Sequence, residues 1–486
     1  MNDSTNLYDA FVDTADRLPD RIACIDVGRN DRCTYAMLRA RIDVAAEALR
    51  ACGVSPGQCI GLHCASGLKY IVFAYAIWQC GATVVPIAVE IAPAEKVQIC
   101  DTIKLDGILT AESSASVFKR FAARPAEQVG DDLQFLPIES PLAHPQGFAA
   151  VDPAFIRFTS GTTSNAKGVV LSHRTVYERI HAANEALAIG PDDTVVWLLS
   201  MSYHFTVSIV AYLTFGATIL LCSNHFGETI VEEAEANAGT LIYGSPQHYA
   251  LMGGDRSGRT LDHLRLAVST ASALKPEIAA SFFDRFGVPL SQAYGIIEVG
   301  LPCINLAGET AKPGSVGKVL PAYEINLRDM GSDPLRAIEV RGRGLFDAYY
   351  NPWRAQAEIS PDGWFATGDM GQVDDDGYLY ITGRAKEMIS VGGMKFFPQE
   401  VESVIDTHPA VVETYVFAES HARLGEVPHA LVKLRSHANR AGLEEELRGY
   451  CQDSLSAFKI PQTIRFVDQL PRTGSGKLKR HSPAGA

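Results

Sequence analysis

Two hydrophobic periods alternate along the chain. From Cys33 to Val54, CTYAMLRARIDVAAEALRACGV, apolar residues recur at helical spacing and Gly53 supplies the stop. CIGLHC, Cys59 to Cys64, follows as a short strand. The apolar run YIVFAYAIWQCGATVVPIAV, Tyr70 to Val89, is interrupted by Gln79, Gly81 and Pro86. That punctuation predicts a helix, a turn and a buried strand, not a membrane span. AFIRF (Ala154 to Phe158) and VVLSH (Val169 to His173) read as strands on either side of a polar loop. A helix is predicted from Thr175 to Leu187, with Thr175 and Glu178 in capping-box spacing. The stretch from Ala122 to Pro153, rich in Pro, Gly and Asp, reads as loop. Such alternation predicts an α/β fold with mostly parallel sheets.

The α/β texture continues to Arg328 and then gives way to strands and tight turns: AIEVRGRGLF, GWFATGDMGQV, DDDGYLYITGR. MISV and MKFF flank Gly392–Gly393 and predict a hairpin. A boundary near Gly383–Lys386 would divide the chain into a large N-terminal domain, 1–383, and a small, mobile α+β C-terminal domain, 384–486. No tandem repeat or low-complexity tract is present.

Composition narrows the function classes. With 486 residues, 47% hydrophobic and 20% charged, the chain reads as a globular protein with a large core. A formal charge of −13 argues against nucleic acid or an anionic membrane as a partner, so a site for an anionic substrate must be locally basic. The 10 Cys are scattered, form no CxxC and lie mostly in apolar surroundings. They read as reduced packing residues of a cytoplasmic protein. The acidic N-terminus, without an apolar core segment, does not read as a signal peptide.

The polar loop carries the chemistry. Phe158 to Val169, FTSGTTSNAKGV, holds five Ser and Thr residues, two Gly and one Lys. Backbone N–H groups, hydroxyls and one mobile cation are the parts that hold a polyphosphate. It is not a Walker loop: counting from Gly161, Ala166 stands where the second Gly belongs, and Gly168 follows Lys167 where a hydroxyl belongs. PRTGSGK, Pro471 to Lys477, fails the same test at Pro471.

The loop resembles the phosphate loop of the adenylate-forming enzymes, [YF]TSGTTGxPKG, with Ser164 for the second Gly and Ala166 for the Pro. Four further stretches resemble that family in its order. They are YGIIE (Tyr294 to Glu298), GWFATGD (Gly363 to Asp369), GRAKEMISVGGMKFFPQEVE (Gly383 to Glu402) and PRTGSGKLKR (Pro471 to Arg480). The resemblance implies an enzyme that transfers AMP from ATP onto a carboxylate and then passes the acyl group to a thiol. Two anions must meet in the first step, so the site must neutralise charge and align the reactants.

The same resemblance implies roles. Thr159, Ser160, Gly161, Thr162, Thr163 and Lys167 would hold the phosphates, and Glu298 would hold Mg2+. Gln292, Ala293, Tyr294 and Gly295 would line the adenine, and Asp369 and Arg384 the ribose. Lys477 would stabilise the pentavalent phosphorus. Lys386 would be the pivot of a rotating C-terminal domain, with Gly392 and Gly393 lining a thiol tunnel in the second half-reaction. Ile297 stands where the family has a Thr that meets the α-phosphate, and its side chain cannot donate a hydrogen bond.

The acid is expected near Ser200 to Tyr212, Ser269 to Leu274 and the segment after Glu298, with Tyr203, His204, Phe205, Ser208, Thr270 and Ala271 as candidate contacts. His204 would orient the carboxylate. Adenylation domains for α-amino acids place an Asp in the first segment. None occurs between Ser200 and Tyr212, and a buried ammonium without a counter-charge is costly, which disfavours a free α-amino acid. The expected function is an acyl- or aryl-CoA ligase using ATP, Mg2+ and CoA. The alternative acceptor is phosphopantetheine on a discrete carrier protein. A nucleotide-binding protein without catalysis is disfavoured by the presence of Lys477.

Overall fold

The computed structural model describes residues 6–130, 132–158, 167–329, 336–436, 438–472 and 478. Among them the chain builds four sheets, two of nine strands, one of four and one of five. The parallel strands expected of the sequence occupy the middles of the two large sheets. In one, Leu290–Ile296, Leu266–Ser269, Leu241–Gly244, Thr194–Trp197, Thr218–Leu221 and Ile22–Asp26 run parallel side by side. In the other, Pro153–Phe158, Thr83–Pro86, Cys59–His63 and Gly107–Ala111 do so. Both margins of each sheet are antiparallel, so the sheets are mixed. Short connections such as that between Leu290–Ile296 and Gly300–Ile304 leave no length for a crossover helix.

Local sequence explains most elements. Thr34 caps the helix Tyr35–Ala51 by accepting from the Met37 N–H, and Gly53 beyond it adopts φ +93°. The long apolar run folds as the helix Leu68–Gln79, a turn with Gly81 at φ +70°, and the buried strand Thr83–Pro86. No helix among the described residues is long and apolar enough to cross a membrane.

Two expectations are corrected. The helix after the polar loop spans His173–Leu187, and its cap is Ser172, whose Oγ accepts the Thr175 N–H at 3.0 Å. Asp347 holds that serine in place, and Glu178 turns outward to Arg174 at 2.9 Å. The stretch 122–153 is not wholly loop. Glu127–Val129 and Leu133–Pro137 form the margin of one large sheet, because Leu133, Phe135 and Leu136 bury their side chains there. A Cβ at Gly107 would lie 2.1 Å from the Phe135 ring, so the neighbouring strand needs a glycine at that place.

The four-stranded antiparallel sheet comprises Tyr323–Asp329, Arg336–Gly342, Phe365–Val373 and Leu379–Arg384. After Arg384 the chain enters the five-stranded sheet, which has its own apolar core of Ile389, Val401, Ile405, Val416, Val432 and Leu447. The hairpin Ile389–Val391/Met394–Phe396 turns at Gly392 and Gly393, at φ +58° and +87°. Lys275 reaches across to Asp406 at 2.7 Å, tying the body of the large sheets to this smaller unit.

Candidate active site

Three strands deliver the polar residues of the expected nucleotide face to one place. The strand Leu290–Ile296 carries Gln292, Ala293 and Tyr294, while Phe365–Val373 carries Asp369 and Leu379–Arg384 carries Arg384. Asp369 and Arg384 are register partners. The Tyr294 hydroxyl donates to Asp369 Oδ2 at 2.6 Å, and Arg384 Nε meets Asp369 Oδ1 at 2.9 Å. The Asp369 N–H is held by Thr367 Oγ1 at 3.0 Å. Burial first, then the Asp369 carboxylate, pushes the Tyr294 phenol well above its ordinary range, so it stays a donor. Gln292 is locked by the Leu274 N–H on its Oε1 at 2.7 Å and lies within 3.5 Å of the Ser315 carbonyl. At Gly295 a Cβ would lie 2.2 Å from the Gly300 carbonyl oxygen, so no larger residue fits this turn.

A second cluster forms around Tyr349. Its strand, Ala348–Tyr349, pairs with Gly168–Ser172, directly after the polar loop. The Tyr349 hydroxyl donates to Glu298 Oε1 at 3.1 Å, and Lys167 Nζ lies 4.3 Å from the centre of its ring. One buried tyrosine thereby brings the loop lysine and the expected metal-holding carboxylate together. Burial, followed by Glu298, raises the Tyr349 phenol, which keeps its proton. The backbone of the Ile297–Glu298 turn hangs on fully buried Arg179. Arg179 donates to the Ile297 carbonyl at 2.9 Å and to Gly344 O at 2.9 and 2.6 Å, with Glu298 O at 3.5 Å.

On the expected acid side, Tyr203 and His204 are half-buried on the short helix Met201–His204. The His204 ring lies 6.4 Å from Trp197, which stacks on Tyr243 at 5.8 Å. Burial pushes the Tyr203 phenol up to about 12. Phe205 is turned into the core against Tyr70, Tyr75 and Trp78. Ser208 is buried and donates to the His204 carbonyl. Thr270 and Ala271 are half-buried, the Thr270 N–H donates to Gly244 O at 3.0 Å, and Ala271 takes φ +75°, a left-handed conformation that favours glycine. Lys386 is exposed in the turn Ala385–Glu387, and Gly392 and Gly393 are exposed at the hairpin tip. Thr159, Ser160, Gly161, Thr162, Thr163 and Lys477 lie outside the described residues.

Tyr349, Arg179 and Arg157 enter this site without any motif to announce them. Tyr349 and Arg179 reach Glu298 from 51 and 119 positions away. Arg157 carried a local signal, a lone charge in the apolar strand Pro153–Phe158.

The family model described as AMP-binding enzyme matches residues 11–350, and the one described as AMP-binding enzyme C-terminal domain matches 400–477. The chain is 27% identical to a mitochondrial medium-chain acyl-CoA ligase of Rattus norvegicus, over 96% of this chain and 85% of the relative. It is 28% identical to the 2-succinylbenzoate–CoA ligase of Bacillus licheniformis, over 96% and 97%. The ATP-bound structure of MatB from Rhodopseudomonas palustris matches with a TM-score of 0.85 and 25% identity, covering 98% of this chain and 97% of that one. The matched models together span both the large and the small unit, and the chain belongs to the AMP-binding enzymes, the adenylate-forming superfamily.

Proposed function

We propose that the protein activates a carboxylic acid with ATP and passes the acyl group to CoA. In the first half-reaction a carboxylate oxygen attacks the α-phosphorus, an acyl-AMP forms and pyrophosphate leaves. In the second, the CoA sulfur attacks the acyl carbonyl, a thioester forms, AMP leaves and the thiol proton is released. The observation that carries this reading is the convergence of Tyr294 and Arg384 on Asp369, together with the meeting of Lys167 and Glu298 at Tyr349. An ionised carboxylate has about four acceptor positions. Two on Asp369 are taken by protein donors, which leaves capacity for ribose hydroxyls.

The residues divide the work. Gln292, Ala293, Tyr294 and Gly295 shape the adenine edge, and Asp369 and Arg384 the ribose edge. Lys167, with Thr159 to Thr163, neutralises the phosphates. Glu298 fits a magnesium ion, since it is a hard oxygen ligand with only Oε1 engaged by Tyr349 among the described residues. Bound there, the ion would supply positive charge to the phosphates. Lys477 approaches the reacting phosphorus in the first half-reaction. The unit 384–486 then turns about Lys386, bringing Gly392 and Gly393 toward the thiol. Tyr203, His204, Thr270 and Ala271 shape the acid's surroundings. Ten free cysteines fit a reducing compartment, which supports a cytoplasmic location.

The test is a pyrophosphate-exchange panel across fatty, aryl and amino acids, followed by addition of CoA to the best acid. Exchange with a fatty or aryl acid and a CoA thioester are expected. Exchange without thioester would replace CoA by another acceptor, and no exchange with any acid would overturn the reading.

A further inference from the structure

Arg157 is the single charged residue of the strand Pro153–Phe158. It lies two positions ahead of Thr159 and pairs with Val169, two positions after Lys167. Its Nη1 donates to the Tyr203 carbonyl, and its guanidinium lies 5.2 Å from the centre of the Tyr203 ring. Its Nε is shielded from water and has no hydrogen-bond partner. No carboxylate among the described residues pairs with it. Burial pushes the group down to about 10, opposed by Tyr203, Glu298 and Tyr70, so it remains a cation at neutral pH.

A shielded N–H without a partner on a cation without a counter-ion is an expensive arrangement. It persists where a ligand completes it. Arg157 touches Tyr203, in the segment expected to meet the acid, and its strand runs into the polar loop expected to hold the phosphates, while the charge of Glu298 also acts on it. The two reactants are anions that must meet between those segments. Ile297, beside Glu298 in sequence, offers no hydroxyl to the reactants. With Nη1 anchored on the Tyr203 carbonyl, Nε and Nη2 remain without a described protein partner. Those two N–H groups form one edge of the fork that matches a carboxylate.

We propose that Arg157 binds a carboxylate of the acid substrate. The inference rests on the ligase reading above. The bound carboxylate is either the one that reacts or a second one on the tail of a dicarboxylic acid, and the two sources separate experimentally.

The experiment compares the full-length wild type with Arg157→Met and Arg157→Lys in pyrophosphate exchange with octanoate, benzoate and succinate. Loss of a charge-assisted contact should raise the KM for the acid about 10- to 100-fold. The KM for ATP and the thermal midpoint should be unchanged, and Arg157→Lys should recover part of the loss. A shift with octanoate or benzoate identifies the reacting carboxylate, and a shift confined to succinate identifies the second. Unchanged acid KM in Arg157→Met overturns the inference. So does a parallel rise in both KM values with a lowered midpoint, since Arg157 would then only support the Tyr203 backbone. A wild type that exchanges with none of the three acids, nor with any other acid of the panel, overturns the ligase reading and this inference with it.

Discussion

The proposed nucleotide side and the proposed acid side of the site are built on opposite plans. On the nucleotide side the side chains hold one another: Tyr294 and Arg384 take the two oxygens of Asp369, and Leu274 fixes Gln292. On the acid side polar atoms are left over. Trp197 Nε1, Ser200 Oγ, Ser269 Oγ and Arg157 Nε are buried without a hydrogen-bond partner. A buried polar atom without a partner costs about 1–3 kcal/mol. A preorganised face suits a ligand that never changes, and adenosine is common to every turnover. Unmatched donors suit a face completed by a particular acid. On the proposed reading, the difference separates what reads ATP from what chooses the substrate.

The largest expected effect lies on the invariant half of the chemistry. Lys477→Ala should lower adenylation ~10²–10³-fold with every acid alike, since loss of one transition-state contact has that magnitude. Thioester formation from preformed acyl-AMP should be largely intact. Equal loss of both half-reactions in a folded variant would remove Lys477 from its role. Asp369→Asn comes next. It replaces a charge-assisted acceptor worth about 1.5–3 kcal/mol, so the KM for ATP should rise ~10–100-fold. If the KM for the acid rose instead, the two faces would not be separate.

Glu298→Gln tests the metal. The amide is a weaker ligand for a hard cation, and the magnesium needed for half-maximal adenylation should rise roughly tenfold with the fold intact. A magnesium titration of the exchange reaction reads this directly, and an unshifted curve would assign Glu298 to anchoring Tyr349 alone.

The two faces also differ in how far the sequence announces them. The expected nucleotide face is carried by contiguous motifs, so its candidates Gln292 to Gly295, Asp369 and Arg384 were legible by order and spacing, and the structure brings Tyr294, Asp369 and Arg384 into contact. Tyr349 and Arg179 were not, because their partners lie 51 and 119 residues away and neither belongs to a repeating pattern. The capping-box spacing of Thr175 and Glu178 points away from the true cap, Ser172, for a related reason: Asp347, 175 residues on, fixes that serine. Phe205 lies in the segment expected beside the acid, and its ring packs into the core with Tyr70 and Trp78. The strand Leu133–Pro137 is hidden because it lies inside a stretch rich in Pro, Gly and Asp, whose turn signals outweigh so short an apolar run.

The smallest effect sharpens the comparison most. Ala271 holds φ +75° in the segment expected beside the acid, where a side chain is disfavoured. Ala271→Gly removes that strain, a gain of about 1–2 kcal/mol in the folded state. Glycine also gives the unfolded chain more freedom, which opposes the gain by about 0.4–1 kcal/mol. The net stabilisation should therefore be small and positive, on the order of 1 kcal/mol, read as a higher urea midpoint with an unchanged slope. The lost methyl should also lower the KM for bulkier acids relative to short ones. The KM for ATP should stay where it was, because Thr270 and Ala271 share none of the hydrogen bonds that hold Asp369. A change in ATP affinity, or a loss of stability, would mean that the strained turn supports the nucleotide face.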